Sequence, residues 1–212
     1  LEKTDAVVLL GDTPYIDTTA LSVQRRRYKD FGIVPGFSDL ASGTPVYSTW
    51  DDHDFGLNDT DGRLPGKENS RQAFLESRPN PSAGEHDQGI YTNFQIGDIE
   101  VFLLDARWFA RTEQSTFAPE QPSLLGKQQW SWLRTQLSES TATWKVVTTG
   151  MIFNSAVRPL KHDYWSAYPA ELNGLFEMLG ELRLSGVILM GGDIHRQRGV
   201  RHAPGDLARI HT

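Results

Sequence analysis

The sequence predicts an α/β fold, and three features carry that expectation. Short apolar runs suited to strands recur along the chain with helical patterns between several of them. Each of five such runs ends abruptly in a polar cluster, as strands do when their carboxyl ends feed site-bearing loops. A two-residue hairpin signal makes the sheet mixed rather than purely parallel. With 212 residues, 38% of them hydrophobic and 10% aromatic, the chain has enough material for the core of one domain, residues 1–212.

Taken in order, AVVLL at 6–10 is the first strand and runs into Gly11 and Asp12. PVYSTW at 45–50 is the second and runs into Asp51, Asp52, His53 and Asp54. The stretch from Arg78 to Gln88, rich in proline and polar residues, marks a loop. YTNFQI and IEVFLL flank Gly97-Asp98, which reads as the turn of a hairpin, and the second of them ends in Asp105-Ala106-Arg107. A helix is expected from Leu124 to about Leu137, with Trp130, Leu133 and Leu137 on one stripe. WKVVTT at 144–149 leads into Gly150 and, four residues on, Asn154. A second helix runs from Pro169 to Leu184; Leu172, Leu175, Phe176, Leu179 and Leu182 form its apolar face, and Gly186 suits its stop. GVILM at 186–190 then runs into Gly191-Gly192-Asp193-Ile194-His195.

Composition narrows the chemistry. With no cysteine there is no disulfide, thiolate metal site or cysteine nucleophile, so any metal is held by oxygen and imidazole. A net charge of -6 argues against broad electrostatic binding to nucleic acid, and the sequence shows no transmembrane run and no signal peptide. It does not specify an oligomeric state.

The segment WDDHDFG at 50–56 is the strongest local signal. Three aspartates and a histidine stand between Trp50 and Phe55, and a desolvated cluster of like charges is expensive unless a cation neutralises it. An EF-hand is excluded: with Gly56 at the sixth loop position, the fifth would be Phe55 and the twelfth Gly62. The ligands must come from several loops. Asp193 and His195 are a second candidate pair, because alternation in an extended segment would turn both toward one ion. An aspartate after a strand also serves as a turn former or helix cap, so Asp12 and Asp105 carry both readings. Arg107 suits a bidentate phosphate clamp and equally a salt bridge to Asp105 or another carboxylate. Asn58 and Asn154 are secondary candidates.

In order, GDTPY at 11–15, WDDHDFG at 50–56, LLDAR at 103–107, LGKQQWSWLRTQL at 125–137 before WKVV, and GGDIH at 191–195 resemble the alkaline phosphatase D (PhoD-like) family of calcineurin-like metallophosphoesterases. The resemblance covers nearly the whole chain. It implies a sandwich of two mixed sheets flanked by helices, with a binuclear or multinuclear metal site holding Fe3+ with Ca2+ or other divalent cations. It implies Asp12 as a bridging ligand, Tyr15 as a tyrosinate on ferric iron, and Asp52, Asp193 and His195 as further ligands. His53 and Arg107 take the catalytic roles. The implied activity is hydrolysis of small phosphomonoesters or phosphodiesters by a metal-activated hydroxide, in a periplasmic or secreted enzyme. The family's first motif, an Asp followed closely by His or Cys at the end of a strand, has no counterpart ahead of Asp12. The chain therefore reads as lacking its first strand, through truncation at the amino end or natural loss. That departure sustains an alternative, a non-catalytic cation- or phosphate-binding domain with an incomplete metal site.

Overall fold

The computed structural model describes residues 4–154, 162–195, 197 and 199. Strand β1 (Val7–Leu10) pairs in parallel with β2 (Val46–Thr49) in one small sheet. Strands β3 (Thr92–Ile96), β4 (Ile99–Leu103), β5 (Trp144–Thr149) and β6 (Val187–Gly191) form the other, in that spatial order. The β3–β4 pair is antiparallel, turning at Gly97 and Asp98, and the β4–β5 and β5–β6 pairs are parallel. The larger sheet is mixed, as expected. Over the described residues the smaller one is a parallel pair.

Alternation along β4 divides the molecule into layers. Phe102, with Val147 of β5, faces helices α5 (Gly126–Glu139) and α6 (Pro169–Glu181), which contribute Trp130, Leu133, Leu137, Leu172, Leu175 and Phe176 to one core. Val101 and Leu103 face the other way and pack with Phe94, Val8 and Tyr47, joining the two sheets face to face. Tyr47 stacks on Phe94 with ring centroids 3.5 Å apart. Glu171 of α6 is buried in the first core, where it accepts hydrogen bonds from Ser123 Oγ, the Leu125 amide and Trp130 Nε1. Its carboxylate thus ties the start of α5 to α6.

Four further helices lie on the chain between β1 and β3. They are α1 (Leu21–Gly32), α2 (Pro35–Gly43), the single turn α3 (Asp52–Phe55) and α4 (Lys67–Ser77). Residues of α1, α3 and α4 pack with Trp50, Ile90, Tyr91, Trp108 and Phe109 in a second, aromatic-rich core at the carboxyl end of β2. No helix among the described residues is long and apolar enough to cross a membrane.

Candidate metal centre

The exits of β1, β2 and β5 crowd together, and glycine is what allows it. A Cβ on Gly11, whose φ is +89°, would lie 2.5 Å from both Cβ and the amide nitrogen of Asp51, and one on Gly150 would lie 2.6 Å from the Trp50 carbonyl oxygen. The backbone after β2 turns at once into α3 through a reciprocal cap between Asp51 and Asp54, with the Asp51 amide donating to Asp54 Oδ1 at 2.6 Å. What reads in sequence as a loop is therefore a capped helical turn. Trp50 and Phe55 are wholly buried on either side of it, their rings edge to face at 4.9 Å. The aromatics anchor the segment, and of its three carboxylates Asp52 joins the site while Asp51 pairs with Arg107 and Asp54 caps the turn.

Asp52 stands at the centre. Its Oδ1 accepts the His53 amide at 2.9 Å and its Oδ2 the Asp59 amide at 2.7 Å. Ligand atoms of Asp12, Asp52 and His53 all lie within 4.8 Å of one another, and so do those of Asp52, Asp59 and Asp163. Asp52 belongs to both sets. Burial raises the Asp12 pKa, and the neighbouring charge of Asp52 raises it further against the pull of His53 and Arg107. Asp51 is likewise pushed up by burial, opposed by Arg107 and reinforced by Asp52 and Asp12. In both, burial is the larger cause and the neighbouring carboxylates add to it. Carboxylate oxygens with one imidazole suit hard or borderline cations, so these residues fit the implied metals.

His53 is oriented by two neighbours. Its Nδ1 donates to Asp17 Oδ1 at 2.5 Å, and the Tyr15 ring stacks on it with centroids 3.9 Å apart. Burial alone would lower the His53 pKa, but the Asp17 bond and the charges of Asp52 and Asp12 outweigh it and raise the value. With Nδ1 held, Nε2 is the nitrogen left for chemistry. Tyr15 Oη and His195 Nε2 are hydrogen-bonded at 2.8 Å, which brings the β6 exit to the same place. Burial and the nearby carboxylates, Asp12 foremost, push the Tyr15 phenol up to about 12.

Three sequence expectations change in detail. Asp193 and His195 are not in an extended segment; both have positive φ, 70° and 50°, so a tight turn rather than strand alternation sets their direction. Neither enters the two ligand sets found among the described residues. Arg107, which suited a phosphate clamp and a salt bridge equally, is buried and paired. Its Nε donates to Asp51 Oδ1 at 2.8 Å, Nη1 to the Thr60 carbonyl at 3.0 Å, and Nη2 pairs with Asp51 and, at 2.7 Å, with Asp163. The salt bridge to a carboxylate other than Asp105 describes it, with Asp51 and Asp163 as the partners. Asn58 is exposed, and its neighbour Asp59 is the residue that joins a ligand set.

Sequence reasoning missed Asp17, Asp59 and Asp163. Asp17 and Asp59 stand close behind GDTPY and WDDHDFG, so extending those two motifs would have found them. Nothing in the sequence singles out Asp163, which arrives from the segment before α6.

Comparison with known proteins follows the same lines. A family model described as PhoD-like phosphatase matches residues 2–206. Alkaline phosphatase D of Bacillus subtilis (strain 168) is similar at 26% identity over 243 residues, covering 92% of this chain and 42% of that protein. A solved structure of PhoD is similar in fold with a TM-score of 0.74 at 23% identity, covering 92% of this chain and 46% of that one. The chain thus spans less than half the length of these relatives.

Proposed function

Because the chain belongs to the family of PhoD-like phosphatases, we propose that its carboxylate centre binds at least two metal ions and hydrolyses phosphate esters of small molecules. The observation that carries this reading is the sharing of Asp52 between two sets of ligand atoms, the arrangement a carboxylate needs to serve adjacent cations. Asp12 joins it in one set, where His53 stands alongside as the proton-carrying group; Asp59 and Asp163 join it in the other, and Tyr15 with His195 closes the side nearest His53. Bound cations supply Lewis acidity toward phosphoryl oxygens and lower the pKa of water.

The chain's own groups do the rest. Asp17 accepts the Nδ1 proton of His53, so Nε2 can receive a proton or give one to the leaving oxygen. Tyr15 fixes the ring plane by stacking. Arg107 keeps Asp51 and Asp163 in place and offsets part of their charge, which makes it a positioning residue in this arrangement. Fe3+ at the Tyr15 side with Ca2+ at the carboxylates is the finer proposal, since phenolate suits the harder trivalent ion.

Two measurements test this reading. The full chain, stripped and reloaded with Ca2+ and Fe3+, is expected to hydrolyse p-nitrophenyl phosphate or its bis ester and to lose that activity in a chelator. Metal uptake with turnover of neither ester would instead leave a cation-binding domain. Iron-loaded protein is also expected to show a visible charge-transfer band that Tyr15→Phe removes. Because burial and the nearby carboxylates push the Tyr15 phenol up to about 12, a phenolate at neutral pH requires the ion, and a band that survives the substitution would place iron elsewhere.

A further inference from the structure

Arg78 follows α4 as its C-cap and is almost completely buried. Its guanidinium sits against three aromatic rings, 5.1 Å from the centroids of Tyr28 and Phe31 and 5.8 Å from that of Phe37. From that cage Nη2 donates to the carbonyl of Thr13. Thr13 lies between Asp12 and Tyr15, the two residues that the turn after β1 delivers to the metal centre.

A second buried group lies beside the same turn. Asp54 accepts the amide of Asp51, and its carboxyl group is close to the Asp12 amide. Arg78 therefore holds the turn at the Thr13 carbonyl, while Asp54 backs it from α3. The turn needs such restraint, because Asp12 itself has a φ of 54°, a conformation that non-glycine residues rarely adopt.

We propose that Arg78 is a positioning residue of the metal centre: caged by Tyr28, Phe31 and Phe37, it fixes the Asp12–Tyr15 turn through the Thr13 carbonyl and so sets how tightly the site holds its cations. Its functional half rests on the phosphoesterase reading above. The helices α1 and α2, which supply the cage, become the backing of that turn. Lysine cannot substitute, because a compact ammonium lacks the planar face that stacks in the cage.

The test compares the full chain with Arg78→Lys, Arg78→Met and Arg71→Met. Arg71 is on the same helix and also donates to backbone carbonyls, those of Gly89 and Ala83, but does not reach the turn. In metal-free protein, hydrogen exchange at the amides of Asp12, Thr13 and Tyr15 is expected to rise at least ~10-fold in both Arg78 variants and to stay unchanged in Arg71→Met. Amides of α5 and β5 should be unaffected throughout. Calorimetric titration with Ca2+ alone is expected to show affinity reduced about 10-fold or more, the scale of a lost ligand-orienting contact. In turnover of p-nitrophenyl phosphate, kcat should fall while KM changes less than about twofold, since Arg78 makes no contact with substrate. If Arg78→Met fails to fold, Arg78→Lys decides. Unchanged exchange in the turn, or unchanged Ca2+ affinity in a folded Arg78 variant, overturns the proposal. If the unsubstituted chain takes up no Ca2+ and cleaves no ester, the phosphoesterase reading falls, and hydrogen exchange still decides whether Arg78 holds the turn.

Discussion

Replacing Asp52 by Asn is expected to reduce metal-dependent ester hydrolysis by about 10³-fold or more. The reason is its double membership: no other carboxylate belongs to both ligand sets among the described residues, so its loss weakens two cation positions together. Lewis-acid stabilisation of a phosphoryl transition state is worth several kcal/mol, and about 4 kcal/mol corresponds to three orders of magnitude in rate. Stability should respond quite differently. Metal-free Asp52→Asn removes an acceptor for the His53 or Asp59 amide but also a like charge from beside Asp12 and Asp51, so its melting temperature should move little. What the variant loses is the rise in melting temperature on adding metal. Kinetics and thermal melts with and without cations measure both halves. A variant that keeps wild-type turnover, or that unfolds without metal, would assign Asp52 a structural role instead.

Asp105→Ala is expected to have the opposite profile, a large loss of stability that metal does not rescue. Asp105 is wholly buried and accepts four hydrogen bonds: Trp50 Nε1 at 2.7 Å, the Ile90 amide at 3.0 Å, and the Arg107 and Trp108 amides at 2.9 Å each. Burial raises its pKa, and these donors oppose the rise by stabilising the carboxylate. Alanine would leave all four donors buried without an acceptor. At about 1–3 kcal/mol for each stranded group, the total is comparable to the whole stability of a domain, so roughly 4 kcal/mol or more should be lost in urea unfolding of metal-free protein. Asp105→Asn, which keeps one acceptor oxygen, should fall between the two. A loss below about 1 kcal/mol for alanine would mean that water or a backbone shift satisfies the donors.

The elements legible in the sequence are those that bury a regular apolar pattern. The six strands fall within a residue or two of the expected runs, and α5 and α6 appear where Trp130, Leu133 and Leu137, and Leu172, Leu175 and Phe176, recur at helical spacing. Helices α1, α2 and α4 lack that signal for a physical reason. α1 buries only Gln24 and Tyr28, α2 buries no residue, and α4 buries Ser70, Ala73 and Phe74. Polar and small residues at contact positions leave no hydrophobic stripe to read. Gln24 shows what replaces it: its side-chain amide donates to the carbonyls of Thr18 and Asp54 and to Ser70 Oγ, so α1 is docked by hydrogen bonds as much as by apolar contact.

The site was legible as a set of strand exits, and less so as a set of roles. GDTPY, WDDHDFG and GGDIH do converge, because the parallel strands that carry them end on the same side of packed sheets. Which carboxylate faces a cation and which faces an arginine depends on distances between loops that no local pattern encodes. Asp51 and Asp52 are adjacent in sequence, yet one is bound to Arg107 and the other is shared by both ligand sets. Arg107 could not be assigned from sequence, since its partner Asp163 lies on a distant segment.

The number of metal ions held by each chain is the most direct check on a centre organised around a shared Asp52. Protein stripped with chelator, reloaded with Ca2+ and Fe3+ and freed of excess ions should carry at least two per chain by elemental analysis, and Asp52→Asn should carry fewer than one. A chain that retains no metal under these conditions, or a variant that retains as much as the unsubstituted protein, would contradict it.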